Sequence, residues 1–170
     1  KSKNILYKHL NKYPKSVFLT CISKIIPEWF LKNNLVLNTH PGILPLARGL
    51  DSFKWSVIKK IPLGVTLHQI DKNIDCGMIL KKSFIPIYKN DSLIDVAKRS
   101  FELECLLLSN FDYFIKNTTK KEKISNKTHY FSKRIPKKYE KRIENIFESN
   151  KEHFKKLYRN NSFNLKRFSN

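Results

Sequence analysis

Hydrophobic and polar positions alternate between short extended runs and helical stripes. Ser16 to Ile22 (SVFLTCI) is a β-branched and aromatic run that reads as a buried strand. Pro27 sits where a helix can begin, and Glu28-Trp29-Phe30-Leu31 gives that helix one apolar side. After an Asn33-Asn34 turn, Leu35-Val36-Leu37 forms a second strand run, ending in Asn38-Thr39-His40-Pro41. Gly42 to Gly49, directly after Pro41, holds two glycines and one proline and reads as a structured loop. Asp51 to Lys60 carries a short amphipathic helix with Asp51 or Ser52 as its cap.

Leu63 to Ile70 alternates as a strand, Asp71 to Gly77 is a tight polar loop, and Met78 to Ile87 is a further strand run. Asp91-Ser92 opens the strongest helix. Leu93, Ala97, Phe101, Glu104/Cys105, Leu108 and Phe111 recur at helical spacing, which predicts a helix reaching Lys116. Residues 117–128 are polar and basic and read as a linker or surface loop. Lys/Glu-rich segments then predict one or two exposed helices. The order of elements is an α/β plan. It divides into residues 1–116 as the core and 117–170 as a basic, partly helical C-terminal extension.

Composition narrows the class. Residues 1–115 hold 17 Lys/Arg against 9 Asp/Glu, a net +8, and residues 116–170 hold 17 against 5, a net +12. Such a balance suits nucleic acid, an anionic membrane or an anionic small substrate. The joint richness in Lys, Asn and Ile is also what AT-rich coding produces, so a dedicated nucleic-acid surface is disfavoured. Cys21, Cys76 and Cys105 are far apart and lack CxxC spacing. They read as reduced thiols of a cytoplasmic protein rather than a disulfide framework or a zinc ribbon. No run is apolar for the roughly 18 residues a membrane span needs, so no membrane partner is expected. The first residues lead into no signal-peptide core, and the missing initiator Met reads as a fragment or a processed chain.

The candidate chemistry gathers at one strand end, where open α/β sheets bind ligands. Along an extended chain, residues two apart share a face. Asn38 and His40 therefore project into one space. An imidazole moves protons near neutral pH, and an amide N–H binds a developing oxyanion. Asp75 is the third candidate, although Asp and Gly are also ordinary turn residues. His9 and His153 read as structural, and His129 is unassigned. His40, His68, Asp75 and Cys76 show no ligand spacing on a defined element, so no metal is expected.

Three motifs in order then resemble the folate-dependent formyltransferase family: Asn38-Thr39-His40-Pro41-Gly42-Ile43-Leu44-Pro45, Gly64-Val65-Thr66-Leu67-His68 and Asp75-Cys76-Gly77. That family includes the glycinamide ribonucleotide, methionyl-tRNA and sugar-nucleotide enzymes. The resemblance implies a Rossmann-like fold with a mixed, mainly parallel sheet. It also implies formyl transfer from 10-formyltetrahydrofolate to a primary amine, without a metal. Asn38, His40 and Asp75 would be catalytic, and His68 would orient them. The pteridine would lie against Cys21, Ile22, Ser23 and Ile25 on one side and Ile70, Asp71 and Ile74 on the other. Pro41, Leu44, Pro45, Arg48 and Gly49 would form the substrate loop, with Leu44–Pro45 cis. Cys76 stands where the family more usually has Thr or Gly, and Met78 where it has Pro or an acid.

The family carries a longer βαβ unit ahead of the strand at Val17, and 16 residues precede it here. The resemblance therefore implies an N-terminally shortened member. Arg48-Gly49 resembles the tRNA and sugar-nucleotide branches more than the purine branch, and Tyr130-Phe131-Ser132-Lys133-Arg134 resembles a C-terminal stretch of the sugar branch. The expected acceptor is accordingly an amino-sugar nucleotide, with glycinamide ribonucleotide or methionyl-tRNA as alternatives. A homodimer is left open. A different class of reading is an inactive formyltransferase scaffold acting as a basic nucleic-acid-binding module. Salt-dependent RNA binding unaffected by His40→Ala would mark that case.

Overall fold

The computed structural model describes residues 16–20, 25–118, 122–124 and 131–166. A five-stranded sheet runs in the order β1 (Val17–Thr20), β2 (Leu35–His40), β4 (Gly64–Gln69), β5 (Met78–Phe84) and β6 (Glu122–Lys123). β1 pairs with β2 in parallel, whereas β2–β4, β4–β5 and β5–β6 are antiparallel. The sheet is mixed, as expected, but among the described residues one parallel pairing stands against three antiparallel ones, which corrects the expectation of a mainly parallel sheet. The short connection over residues 70–77 can only return the chain as a hairpin, because a parallel return needs a crossover of a dozen or more residues. A separate two-stranded parallel pair joins β3 (Arg48–Gly49) to β7 (Phe131–Ser132).

The two faces of β2 and β4 have different fates. Leu37, Val65 and Leu67 form a core with Leu107 of α3 (Leu93–Ser109), supported by Phe111 and Phe114 of α4 (Phe111–Asn117). The opposite face carries Asn38, His40, Thr66 and His68, since Asn38 lies across from His68 and His40 across from Thr66. The Thr66 hydroxyl donates to the Gly42 carbonyl at 2.7 Å and accepts from Leu44 N–H at 3.1 Å, which folds the loop after β2 onto this polar face. Leu44–Pro45 is cis. β2 runs through His40 rather than stopping at Leu37, so Asn38 and His40 are fixed by strand pairing.

Several other expectations are corrected. The helix from Asp91 breaks at Asn110, giving α3 and α4. Its start is as read: Ser92 accepts from Asp95 N–H at 3.2 Å, and the Asp95 carboxylate accepts from Ser92 N–H at 2.9 Å. The apolar stripe is out of phase, however. Val96, Ser100 and Leu107 are buried, whereas Phe101 is 67% exposed and Cys105 faces solvent. Of the first predicted strand, Val17–Thr20 is paired as β1, and Cys21 and Ile22 lie outside the described residues. Asp51 precedes α2 (Ser52–Ile58) but makes no side-chain cap; its carboxylate instead accepts from Ile135 N–H at 2.9 Å.

That contact is part of a larger difference. The segment after residue 117 shares the core. Ile143 and Phe147 of α6 (Ile143–Ser149) and Phe154 of α7 (Lys151–Lys166) join Val57, Ile85 and Val96 in one buried cluster. The Lys/Glu-rich helices are amphipathic, not exposed throughout, because aromatic side chains seven apart stack inward while the charges face water. Within the expected linker, Glu122–Lys123 extends the sheet and Ile124 is buried against Leu44, Cys76 and Ile79. Among the described residues, no helix is long and apolar enough to cross a membrane.

Candidate active site

The polar face of β2 and β4 opens into a cleft of about 550 Å³. Asn38, His40, His68 and Asp75 all line it. The β4–β5 register shifts between Leu67 and His68, with Leu80 as the extra residue on β5, beside the end of β4 that reaches this cleft. Asp75 then arrives from the 70–77 loop, where its φ of 50° lies in the left-handed region. Gly77 is required two residues on. A Cβ there would lie 1.6 Å from the Gln69 carbonyl oxygen.

His40 is buried, and its Nε2 lies 2.5 Å from the Ala47 carbonyl. A carbonyl only accepts, so Nε2 carries the hydrogen and Nδ1 is left facing Asp75 Oδ2 at 3.7 Å. His68 is arranged the other way round. Its Nδ1 donates to the Gln69 carbonyl at 3.0 Å, and its Nε2 faces Asp75 Oδ1 at 3.9 Å. The two rings stand nearly perpendicular with centroids 6.2 Å apart. Each carboxylate oxygen of Asp75 thus faces one imidazole.

Burial, and secondarily the nearby His40, lower the His68 pKa to about 4, against the pull of Asp75. His68 is therefore neutral at neutral pH. Its Nε2 is then a lone pair with no hydrogen-bond partner among the described residues. The space between Nε2 and Asp75 is bounded by two acceptors, so it suits a group that brings hydrogens, as a primary amine does.

Of the other expected site residues, Ile25, Ile70, Asp71 and Ile74 line the cleft. Cys21, Ile22 and Ser23 lie outside the described residues, as do His9, His129 and Tyr130. Pro41 and Gly49 reach the cleft, but Leu44, Pro45 and Arg48 do not. Leu44 is wholly buried in the small cluster beneath the site. Arg48 is 6% exposed and points its guanidinium at the Ile74 carbonyl and Cys76 Sγ. Burial pushes the Cys76 thiol pKa up, and the Arg48 charge works against that. His153 bonds the Lys60 carbonyl, far from the cleft.

Glu104 is the residue that sequence reasoning missed. It reaches the cleft from α3, and burial raises its pKa to about 7, with the Thr39 hydroxyl pulling the other way. Its only sequence signal was a charge inside an apolar stripe. Lys72 and Lys133 also line the cleft, alongside the carboxyl groups of Asp51, Asp71, Asp75 and Glu104.

A family model described as formyl transferase matches residues 3–111, well over half of the chain. Methionyl-tRNA formyltransferase of Koribacter versatilis (strain Ellin345) is 30% identical over 98 residues, covering 56% of this chain and 31% of that protein. A sugar N-formyltransferase from Shewanella sp FDAARGOS_354 superposes with a TM-score of 0.59 at 28% identity, covering 78% of this chain and 53% of that one. An N-formyltransferase from Helicobacter canadensis, solved with folinic acid and dTDP-3-aminofucose, superposes with a TM-score of 0.54 at 26% identity over 69% of this chain and 45% of that one. The chain thus spans about a third of the curated relative and about half of the solved ones.

Proposed function

Because the chain belongs to the formyl transferase family, we propose that it transfers a formyl group from 10-formyltetrahydrofolate to the primary amine of an amino-sugar nucleotide. The convergence of His40 and His68 on the two oxygens of Asp75, beside Asn38 in one cleft, carries this reading. The cleft volume is within the ordinary range for small-molecule sites.

The co-substrate supplies the formyl carbon that the acceptor amine attacks, and its carbonyl oxygen gathers negative charge. The Asn38 amide can donate to that oxygen. Nδ1 of His40, protonated, can do the same, while Ala47 holds the ring through Nε2. Asp75 takes the proton the amine loses, and neutral His68 accepts a second N–H of the same amine through its lone pair. As the tetrahedral intermediate collapses, the bond from the formyl carbon to the folate nitrogen breaks, and that nitrogen takes up the proton held by Asp75 and leaves as tetrahydrofolate. Backbone from Ile70 to Asp75 and the side chain of Ile25 give the folate ring one wall. Support for a sugar nucleotide comes from the two solved relatives and from Lys72 and Lys133, whose charges suit a diphosphate.

The test is a transfer assay with 10-formyltetrahydrofolate and a panel of amines, amino-sugar nucleotides against glycinamide ribonucleotide. Formyl transfer to the sugars, lost in Asp75→Asn, is the expected result. Absence of folate binding by calorimetry, with no product from any amine, would overturn the reading.

A further inference from the structure

We infer that Arg48 is a positioning residue for Asp75, its buried guanidinium clamping residues 74–76 so that the carboxylate stands before His40 and His68. This rests on the proposed formyl transfer for its catalytic consequence. Arg48 Nη2 donates to the Ile74 carbonyl at 2.6 Å and contacts Cys76 Sγ at 2.6 Å, gripping the chain on both sides of Asp75. The next residue completes the clamp: Gly49 N–H donates to Asp75 Oδ2 at 2.7 Å. That same oxygen faces His40 Nδ1.

The need for a clamp is visible in the loop. Asp75 is an L-residue at φ 50°, a conformation that persists only where the surroundings hold it. The clamp is itself anchored from behind. Arg48–Gly49 pairs with Phe131–Ser132, and Leu50 N–H donates to the Ser132 carbonyl at 2.8 Å. Gly49 adopts φ 94°, and a Cβ there would meet the Ser132 carbonyl oxygen at 2.3 Å. The C-terminal strand therefore backs the residues that set Asp75. A buried cation is costly unless acceptors meet it, and the Ile74 carbonyl and Cys76 Sγ that meet Arg48 Nη2 both belong to the loop that carries Asp75. The clamp also gives a role to Cys76, whose sulfur is one of the two gripped groups.

Steady-state kinetics on the full chain, with 10-formyltetrahydrofolate and the acceptor found by the amine panel, tests this. Arg48→Met should lower kcat by about 10²-fold, the size of effect that a carboxylate displaced by about 1 Å produces. The KM for both substrates should stay within about twofold, since no substrate contact is removed. Arg48→Lys should restore part of the loss, because it keeps a cation but not the planar fork. In the double variant Arg48→Met/Asp75→Asn, the loss should equal that of Asp75→Asn alone. If the two losses multiply, Arg48 acts independently of Asp75 and the inference is wrong. Cys76→Val removes one gripped group, keeps the Ile74 bond, and should show a smaller fall in kcat; it and Arg48→Lys carry the test if Arg48→Met does not fold.

A readout without turnover separates this from the proposed function. In ligand-free protein, the imidazole 15N resonances of His40 and His68 should both move in Arg48→Lys, while that of His153 stays fixed. Unmoved His40 and His68 signals would overturn the clamp. A wild-type protein that formylates no amine would overturn the proposed function and leave this spectral test standing.

Discussion

His40 Nε2 lies 2.5 Å from the carbonyl oxygen of Ala47, and this contact decides which nitrogen faces Asp75. The loop after β2 folds back so that a carbonyl seven residues on reads the ring. In the neutral imidazole the hydrogen must then sit on Nε2, with Nδ1 turned to Asp75. Long-range 15N correlation spectra of the neutral ring should report protonated Nε2 and bare Nδ1. The opposite tautomer would mean that Nε2 does not donate to Ala47 and that the ring is not held as described. His40→Ala should lower formyl transfer by about 10²–10⁴-fold, the usual contribution of a positioned proton-transfer group.

His68 carries a pH signature of its own. Burial first, then the charge of His40, hold its folded pKa at about 4, below the ordinary 6.5. Between those values the unfolded chain binds more protons than the folded one. Stability is therefore fully present above pH 6.5 and is lost as pH falls toward 4. The depression corresponds to roughly 3 kcal/mol. Thermal melts of wild type and His68→Asn, taken from pH 7 to 4, should converge as the pH drops. Parallel curves would show that His68 does not titrate in the folded state as described.

Glu104 has the opposite sign. Its folded pKa is raised to about 7, with burial as the cause. From pH 4.5 to 7 the folded protein holds the proton more tightly than the unfolded chain. Stability is highest in acid and declines as pH rises through that window. Glu104→Gln keeps the shape and removes the titration, so its melting temperature should rise relative to wild type between pH 5 and 8. A constant difference across that range would sink the assignment.

Glu104 also shows where the sequence stops being informative. The stretch Phe101 to Leu108 (FELECLLL) is apolar on every side of the helix. Periodicity there cannot choose between neighbouring phases, and the packing of Leu107 against Leu37 and Leu67 chose. Strand Leu35–His40 was legible because alternation alone puts Asn38 and His40 on one face. That His68 lies opposite Asn38 was not, since it depends on antiparallel register. Arg48 was read with the substrate loop on resemblance, but a side chain's direction after a cis-proline turn is a tertiary fact. The C-terminal aromatics were hidden among charges, and only the docking of Phe147 and Phe154 makes them core.

Gly77 gives the sharpest steric prediction. The 70–77 loop must turn back tightly enough to pair β5 with β4, and at Gly77 it passes over the Gln69 backbone. A Cβ at that point would sit 1.6 Å from the Gln69 carbonyl oxygen and 2.7 Å from its carbon, with the Asp71 nitrogen at 3.4 Å. The first two obstacles are backbone at the end of a paired strand, so no rotamer change relieves them. The loop must open, and it carries Asp75 and the two groups gripped by Arg48 with it. Gly77→Ala should therefore cost more than the 1–3 kcal/mol typical of an overpacked site, about 3 kcal/mol or above, in urea unfolding. Formyl transfer by the fraction that remains folded should also fall, because Asp75 loses its station before His40. A Gly77→Ala protein with wild-type stability would require the loop to follow a different path from the one described.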